Sequence, residues 1–116
     1  MKNVLYVEDE VIVCVSMKKI WETLNRKEKL YIAHNYEEAI EILNKENIDL
    51  LITDMSLPGK SGSELIQDIR SNGLDLPIVV LSNYSKQANS SSNMVQDHYQ
   101  KPFYAKDVEN ILKKHM

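Results

Sequence analysis

Five polar residues suited to binding or catalysis each stand at the end of a short apolar run in this chain. In sequence order they are Glu8, Asp9, Asp54, Ser82 and Lys101. In an open parallel sheet, ligands bind beyond the carboxyl ends of the strands, near the point where the strand order reverses. If the apolar runs are such strands, their ends meet at one edge of the sheet. The sequence therefore predicts that carboxylates, a hydroxyl group and an ammonium group lie together there.

The residue types at this edge indicate which ligands it could hold. Crowded carboxylates repel one another unless a cation neutralises them, and Mg²⁺ is a hard cation that takes oxygen ligands and keeps several waters. Lys101 and Ser82 suit an anion with oxygen atoms. An aspartate can act as a nucleophile and form an acyl phosphate, while metal and ammonium offset the charge on the transferred oxygens. These residues therefore favour Mg²⁺ and a phosphoryl group.

The stretch TDMSLPGKSG (53–62) offers a competing interpretation, because Gly59-Lys60-Ser61 resembles the end of a nucleotide-binding phosphate loop. That pattern needs its first glycine at the position of Asp54, and a carboxylate there would repel the phosphates. An FMN site is also disfavoured, since the loop VEDE after the first run is acidic rather than rich in glycine and hydroxyl groups. Lys60 is then interpreted as a solvated loop residue.

The apolar runs and the segments between them predict alternating strands and helices. The runs are VLYV (4–7), LYIA (30–33), LLIT (50–53) and IVVL (78–81), with DHYQK (97–101) as a weaker fifth candidate. Their nearly continuous hydrophobicity is typical of parallel strands covered on both faces. Apolar stripes predict four helices, at 13–24, 36–43, 65–69 and 108–112. Asn35 is the expected N-cap of the second helix, and the third should end near Asn72-Gly73.

Composition places the chain among globular proteins and excludes several function classes. The 116 residues fit one domain, 1–116, and a net charge of −3 gives no argument for nucleic acid or a membrane surface. The single cysteine, Cys14, excludes an internal disulfide and a cysteine-rich zinc site. No apolar run reaches the roughly 20 residues of a membrane-spanning helix. We therefore expect a cytoplasmic protein without a signal peptide.

Four motifs, in this order and spacing, resemble the receiver domains of two-component response regulators, the family that includes the chemotaxis protein CheY. The motifs are YVEDE (6–10), DLLITDMSLPGKSG (49–62), PIVVLS (77–82) and KPF (101–103). The likeness covers nearly the whole chain. It implies an α/β, flavodoxin-like (βα)5 fold, in which a doubly wound, five-stranded parallel sheet has the strand order 2-1-3-4-5.

The resemblance also implies roles for the residues at the predicted edge. Asp54 would accept a phosphoryl group from a histidine kinase or a histidine phosphotransfer protein. Lys101 would pair with the phosphoryl oxygens, and the bond between Lys101 and Pro102 would be cis. The implied Mg²⁺ ligands, for which Mn²⁺ could substitute as the ion, are Asp9 directly, Glu8 through water, Asp54, and the backbone carbonyl of Ser56.

Switching in this family links the hydroxyl residue after the fourth strand to an aromatic residue three positions before the lysine. Here these are Ser82, which would hydrogen-bond to a phosphoryl oxygen, and His98, where tyrosine or phenylalanine is commoner. Lys101 follows Ser82 by only 19 positions (101 − 82). This spacing is a few residues shorter than is usual in the family. The shortening falls in SNYSKQANSSSN (82–93), whose Ser and Asn side chains compete with the backbone for hydrogen bonds. We therefore expect a shortened or irregular fourth helix, between the fourth and fifth strands.

Two functions follow as hypotheses. The first is a phosphoryl-accepting switch that acts on a downstream protein effector, as a monomer or weak dimer. It has no separate substrate, so it is not an enzyme beyond its own phosphorylation and dephosphorylation. The second is a phosphorylation-independent pseudo-receiver that docks constitutively, which His98 and the segment 82–93 favour. The presence of all five residues at the predicted edge favours the first.

Overall fold

A five-stranded parallel sheet forms the centre of the computed structural model, which describes residues 2–82 and 95–116. Its strands are β1 (Asn3–Val7), β2 (Lys29–Ala33), β3 (Leu50–Asp54), β4 (Ile78–Ser82) and β5 (Asp97–Gln100). They lie in the order β2-β1-β3-β4-β5, and every neighbouring pair is parallel. The predicted flavodoxin-like, doubly wound fold and its strand order are therefore confirmed.

Four helices lie in the described residues: α1 (Val11–Leu24), α2 (Tyr36–Lys45), α3 (Gly62–Ser71) and α4 (Ala105–His115). Asn35 caps α2 as predicted, because its side chain accepts the N–H of Glu38 at 2.8 Å. Helix α3 ends before Asn72, and Gly73 follows with a φ of +79°. None of these helices is long and apolar enough to span a membrane. The fourth helix expected between β4 and β5 falls at 83–94, outside the described residues, so α4 denotes the C-terminal helix.

Helices cover both faces of the sheet, and each face has its own hydrophobic core. Helices α1 and α4 pack on one face, where Met17, Trp21 and Ile111 are buried. Helices α2 and α3 pack on the other, around Leu65 and Ile69. Because successive side chains of a strand point to opposite faces, both cores draw on the same strands, and β3 and β4 are buried throughout. This double burial explains why their sequences are continuously apolar.

The register of the strands brings their carboxyl ends to one edge. Strands β1 and β3 pair as far as Val7 and Thr53, so Glu8 and Asp54 follow at neighbouring positions. Strand β5, which pairs with β4, ends one residue before Lys101. The backbone therefore delivers the predicted polar residues to the same side of the molecule.

Candidate functional site

Glu8, Asp9 and Asp54 come together beyond the ends of β1 and β3. One carboxylate oxygen from each lies within 4.8 Å of the others. Glu8 is completely buried, Asp54 is 5% exposed, and Asp9 is exposed. Three carboxylates at this spacing suit a hard divalent cation that keeps some of its waters. The predicted cluster of carboxylates is thus present, while the binding of Mg²⁺ to it stays a prediction.

The ammonium group of Lys101 lies between two of these carboxylates. Its Nζ is 2.7 Å from Glu8 Oε1 and 3.4 Å from Asp54 Oδ2. The backbone N–H of Lys101 donates to the carbonyl oxygen of Ser82 at 2.7 Å, which holds this loop against the end of β4. The next peptide bond, from Lys101 to Pro102, is cis as predicted. The hydrogen bond to Ser82 therefore fixes the backbone of Lys101, whose side chain extends to the two carboxylates.

Burial controls the protonation of these groups. It raises the pKa of Asp54, although the charge of Lys101 and the backbone N–H groups of Ser56 and Met55 act in the opposite direction. It also raises the pKa of Glu8, against the hydrogen bond from Lys101. Burial disfavours the charged form of Lys101, but the hydrogen bond to Glu8 and the charge of Asp54 outweigh it, so the pKa of Lys101 is raised. The buried carboxylates are thus costly to ionise without further positive charge.

We expect Asp54→Asn to stabilise the metal-free protein by an amount that grows with pH. A carboxyl group whose folded pKa is raised contributes stability below its unfolded pKa, about 4 for aspartate, and loses it as the pH rises through the folded value. The difference in the free energy of unfolding between variant and wild type should therefore widen above about pH 4 and then level off. Urea denaturation in EDTA at a series of pH values measures this difference.

Glu41→Gln is the matched control at neutral pH, because its side chain is 69% exposed and its removal should change the free energy of unfolding by about 0.5 kcal/mol or less. A constant difference between Asp54→Asn and wild type across the series would contradict a raised pKa of Asp54 in the folded protein.

Two glycines shape the loop behind Asp54 for different reasons. Gly59 has a φ of +72°, which favours glycine, and no atom lies within 4 Å of where its Cβ would stand. At Gly62, the first residue of α3, a Cβ would lie 2.4 Å from the carbonyl oxygen of Asp54. The N–H of Gly62 donates to the Met55 carbonyl at 3.0 Å. Helix α3 therefore begins directly against the backbone of Asp54, where only glycine fits.

The other residues that resembled a phosphate loop have structural contacts. Ser61 caps α3, because its hydroxyl accepts the N–H of Glu64 at 3.2 Å while the Glu64 carboxylate accepts the Ser61 N–H at 3.0 Å. Lys60 Nζ lies 4.6 Å from the centre of the Tyr36 ring and 3.8 Å from Asp68 Oδ2. Lys60 is half-exposed. These contacts support the rejection of a nucleotide-binding loop.

Ser82 and His98 stand on the same face of the sheet. In β4, Leu81 belongs to the core under α1 and α4, so the buried Ser82 points to the α2/α3 face. In β5, Tyr99 packs against the α1/α4 core, so His98 also points to the α2/α3 face. The register pairs His98 with Val80, two residues before Ser82. This placement is compatible with a switch pair, and their coupling stays a prediction.

Tyr6 contacts the site and was not identified from the sequence. It is fully buried in β1, and its hydroxyl donates to Glu8 Oε1 at 3.3 Å. Burial raises the pKa of Tyr6 far above its usual value, so the hydroxyl stays a donor. The Tyr6 ring meets Phe103 edge to face, with 6.2 Å between the ring centres. The available signal was the spacing of two between Tyr6 and Glu8, which places both on one face of a strand.

An exposed apolar surface adjoins the site on α1. It consists of Val11, Ile12 and Val15, which are 66%, 80% and 46% exposed, and we call it the α1 patch. Beside it, a groove of about 310 Å³ runs between α1 and the loop after β5, and Lys101 and Phe103 are among its lining residues. An exposed apolar surface of this kind beside the candidate site is suited to binding another protein.

Comparisons with known proteins agree with this geometry. The response regulator receiver domain family matches residues 4–113. The probable C4-dicarboxylate response regulator DctR of Bacillus subtilis is 30% identical, over 97% of this chain and 51% of its own length. The sporulation initiation phosphotransferase F of the same organism is 21% identical, over 99% of this chain and 94% of its own length. This chain spans about half of DctR and about a third of some other response regulators that it matches.

Among solved structures, the response regulator protein TrrA of Thermotoga maritima, in complex with Mg²⁺ and BeF, is similar over its full length. It is 31% identical to this chain, with a TM-score of 0.86 and 100% of both chains covered. Fold and sequence therefore agree on the same family.

Proposed function

Because this chain belongs to the response regulator receiver domain family of two-component signalling, we propose that it is a switch operated by phosphoryl transfer to Asp54. The donor is a phosphohistidine on a histidine kinase or a histidine phosphotransfer protein, since receiver domains interact with these proteins. The observation that carries the proposal is the position of Lys101 Nζ, which contacts both Glu8 and Asp54. The similarity to TrrA, whose structure contains Mg²⁺ and BeF, supports it.

In the proposed transfer, a carboxylate oxygen of Asp54 attacks the phosphorus of the donor. The new O–P bond forms as the P–N bond to histidine breaks, and the imidazole nitrogen keeps the electron pair and takes up a proton. Lys101, with Nζ 3.4 Å from Asp54 Oδ2, offsets the charge on the transferred oxygens. Ser82, at the end of β4, donates a hydrogen bond from its hydroxyl group to one of these oxygens.

The residues at this edge fit Mg²⁺ because they offer oxygen ligands and a net negative charge. Asp9 is exposed and would bind the ion directly. Glu8 would act through water, since Lys101 Nζ and the N–H of Glu10, at 2.7 Å and 3.2 Å, already engage its carboxylate. Asp54 and the carbonyl of Ser56 complete the proposed set, in which Mn²⁺ can substitute. When bound, the ion supplies positive charge that stabilises the phosphoryl oxygens.

The proposed output is a change of a protein-binding surface rather than turnover of a separate substrate. Ser82 and His98 share one face of the sheet, so a hydroxyl drawn towards the phosphoryl group would leave space that the His98 ring can enter. A downstream protein would bind the altered surface. We place this switch in the cytoplasm, as a monomer or weak dimer.

Intact-mass measurement after incubation with acetyl phosphate and Mg²⁺ tests the proposal. One phosphoryl adduct is expected on the wild type, none on Asp54→Asn, and none when EDTA is added first. If the wild type gives no adduct with acetyl phosphate or with a phosphorylated histidine kinase, and Mg²⁺ does not bind, the phosphoryl switch is wrong. That result would instead favour the phosphorylation-independent pseudo-receiver.

The α1 patch is the proposed docking surface for the phosphohistidine donor. Helix α1 also lines the groove that Lys101 borders, so a donor seated on the patch would present phosphohistidine to Asp54. We expect Ile12→Asp to slow transfer from a phosphorylated histidine kinase by about tenfold or more, because a carboxylate would be buried in the apolar interface. Phosphorylation by acetyl phosphate should be unchanged. Rates of adduct formation with the two donors measure both effects.

Leu74 gives the matched control for this experiment. It is 43% exposed and lies in the loop between α3 and β4, at the opposite end of the sheet from Asp54. Leu74→Asp should therefore transfer at the wild-type rate from both donors. Equal slowing by Ile12→Asp and Leu74→Asp would contradict docking on the α1 patch.

A further inference from the structure

The carboxylate of Glu8 is completely buried. In the described residues it has three hydrogen-bond donors, of which Tyr6 and Glu10 are two positions away in sequence and Lys101 is 93 positions away. Oε2 accepts the N–H of Glu10 at 3.2 Å. Oε1 accepts from Lys101 Nζ at 2.7 Å and from the Tyr6 hydroxyl at 3.3 Å. Oε1 therefore has one strong, charged donor on a long side chain and one neutral donor on a rigid, buried ring.

The two donors to Glu8 Oε1 would behave differently on phosphorylation, because only Lys101 is proposed to move to the phosphoryl group. The ammonium group of Lys101 is the cation proposed to pair with the phosphoryl oxygens, which draws it away from Glu8. The Tyr6 side chain lies in the core between the sheet and helices α1 and α4, with its ring packed against Phe103, and its hydroxyl donates to Glu8. Leaving a buried acceptor with no hydrogen-bond donor destabilises the protein far more than removing one of its two donors.

We propose that Tyr6 is a positioning residue for phosphoryl acceptance, whose hydroxyl keeps Glu8 Oε1 hydrogen-bonded when Lys101 turns to the phosphoryl group. This inference rests on the proposed function of Asp54 and Lys101. Tyr6 is not among the residues proposed to bind the metal or the phosphoryl group. It acts by lowering the cost of releasing Lys101 from Glu8.

A double-mutant cycle on the full chain without ligand tests whether the Tyr6 hydroxyl stabilises Glu8 Oε1 when Lys101 does not. Tyr6→Phe removes only the hydroxyl. In the wild-type background Lys101 still serves Oε1, so the unfolding equilibrium constant should change little. In the Lys101→Met background the same change removes the last donor to Oε1, although the N–H of Glu10 still donates to Oε2, and the constant should rise about tenfold more than in the wild type. Urea denaturation at neutral pH measures all four proteins.

Binding of BeF₃⁻, used with Mg²⁺ as a mimic of the phosphoryl group, gives a second readout. Tyr6→Phe should weaken the affinity for BeF₃⁻ about fivefold or more, by titration calorimetry at fixed Mg²⁺. Tyr31→Phe is the matched control, since its hydroxyl donates to Glu46 Oε1 at 3.1 Å on the surface. That variant should bind as the wild type does.

The two measurements separate the possible failures. Equal effects of Tyr6→Phe in both backgrounds, or an unchanged affinity for BeF₃⁻ beside a wild type that binds it, would overturn the role of Tyr6 alone. A wild type that binds no BeF₃⁻ and gives no phosphoryl adduct would overturn the proposed function, and the positioning role with it.

Discussion

Lys101→Met should destabilise the metal-free protein by about 3 kcal/mol at neutral pH, because it leaves buried carboxylates without their cation. Glu8 and Asp54 are 0% and 5% exposed, and Nζ lies within 3.4 Å of both. Methionine keeps the length of the stem, so the effect reports the charge. The same variant should lose most phosphoryl adduct formation, since the transferred oxygens lose a positive partner. Urea denaturation and intact mass measure the two losses.

Lys45→Met is the matched control for the loss of stability. Lys45 pairs with Glu41 at 3.7 Å, but their side chains are 70% and 69% exposed. An exposed pair of this kind contributes about 0.5 kcal/mol or less. If Lys101→Met and Lys45→Met cost the same, the contact of Lys101 with the buried carboxylates does not stabilise the fold.

Gly62→Ala should impair both stability and phosphorylation. The added Cβ would lie 2.4 Å from the carbonyl oxygen of Asp54 and 2.8 Å from the Cα of Met55. Backbone atoms cannot rotate away, so the start of α3 or the end of β3 must shift, at a cost of about 1–3 kcal/mol. Because this shift moves the proposed nucleophile, the rate of adduct formation should fall by about tenfold or more. Acetyl phosphate labelling and thermal denaturation measure the two effects.

Substitution of Gly59 tests the effect of backbone strain without that of steric crowding. Its φ of +72° penalises alanine, but the position where a Cβ would stand is open. Gly59→Ala should therefore cost about 1–2 kcal/mol without changing the rate of adduct formation, and Gly59→Asn should cost less. Slower labelling of Gly59→Ala than of Gly62→Ala would contradict the close approach of α3 to Asp54 as the critical feature.

The parallel sheet was predictable because burial on both faces leaves a direct trace in sequence, whereas its strand order was implied by the resemblance to receiver domains. The apolar runs that became β3 and β4 have no exposed side and therefore no polar alternation. The cap of α2 was predictable for a local reason, since Asn35 needs only a backbone N–H three residues away. Polar residues at strand ends followed from topology, which brought Glu8, Asp54 and Lys101 to one edge without any knowledge of their side-chain conformations.

Contacts between side chains that are distant in sequence were beyond this reasoning. The hydrogen bond between Lys101 and Glu8 joins residues 93 positions apart, and its choice of oxygen depends on rotamers that sequence patterns do not specify. Tyr6 reads as an ordinary strand residue because its ring fits the core, and only its hydroxyl is unusual. The need for glycine at position 62 likewise arises from the approach of α3 to the backbone of Asp54, which local sequence patterns do not specify.

The presence of separate cores on the two faces of the sheet has a consequence for signalling. Phe103, two residues after Lys101, packs against the α1/α4 core, whereas Ser82 and His98 point to the α2/α3 face. Displacement of Phe103 would then be felt in the α1/α4 core, and displacement of the Ser82 and His98 side chains in the α2/α3 core. If phosphoryl transfer to Asp54 occurs as proposed, it would act on both cores, and substitutions at Phe103 and at His98 would affect different halves of the molecule.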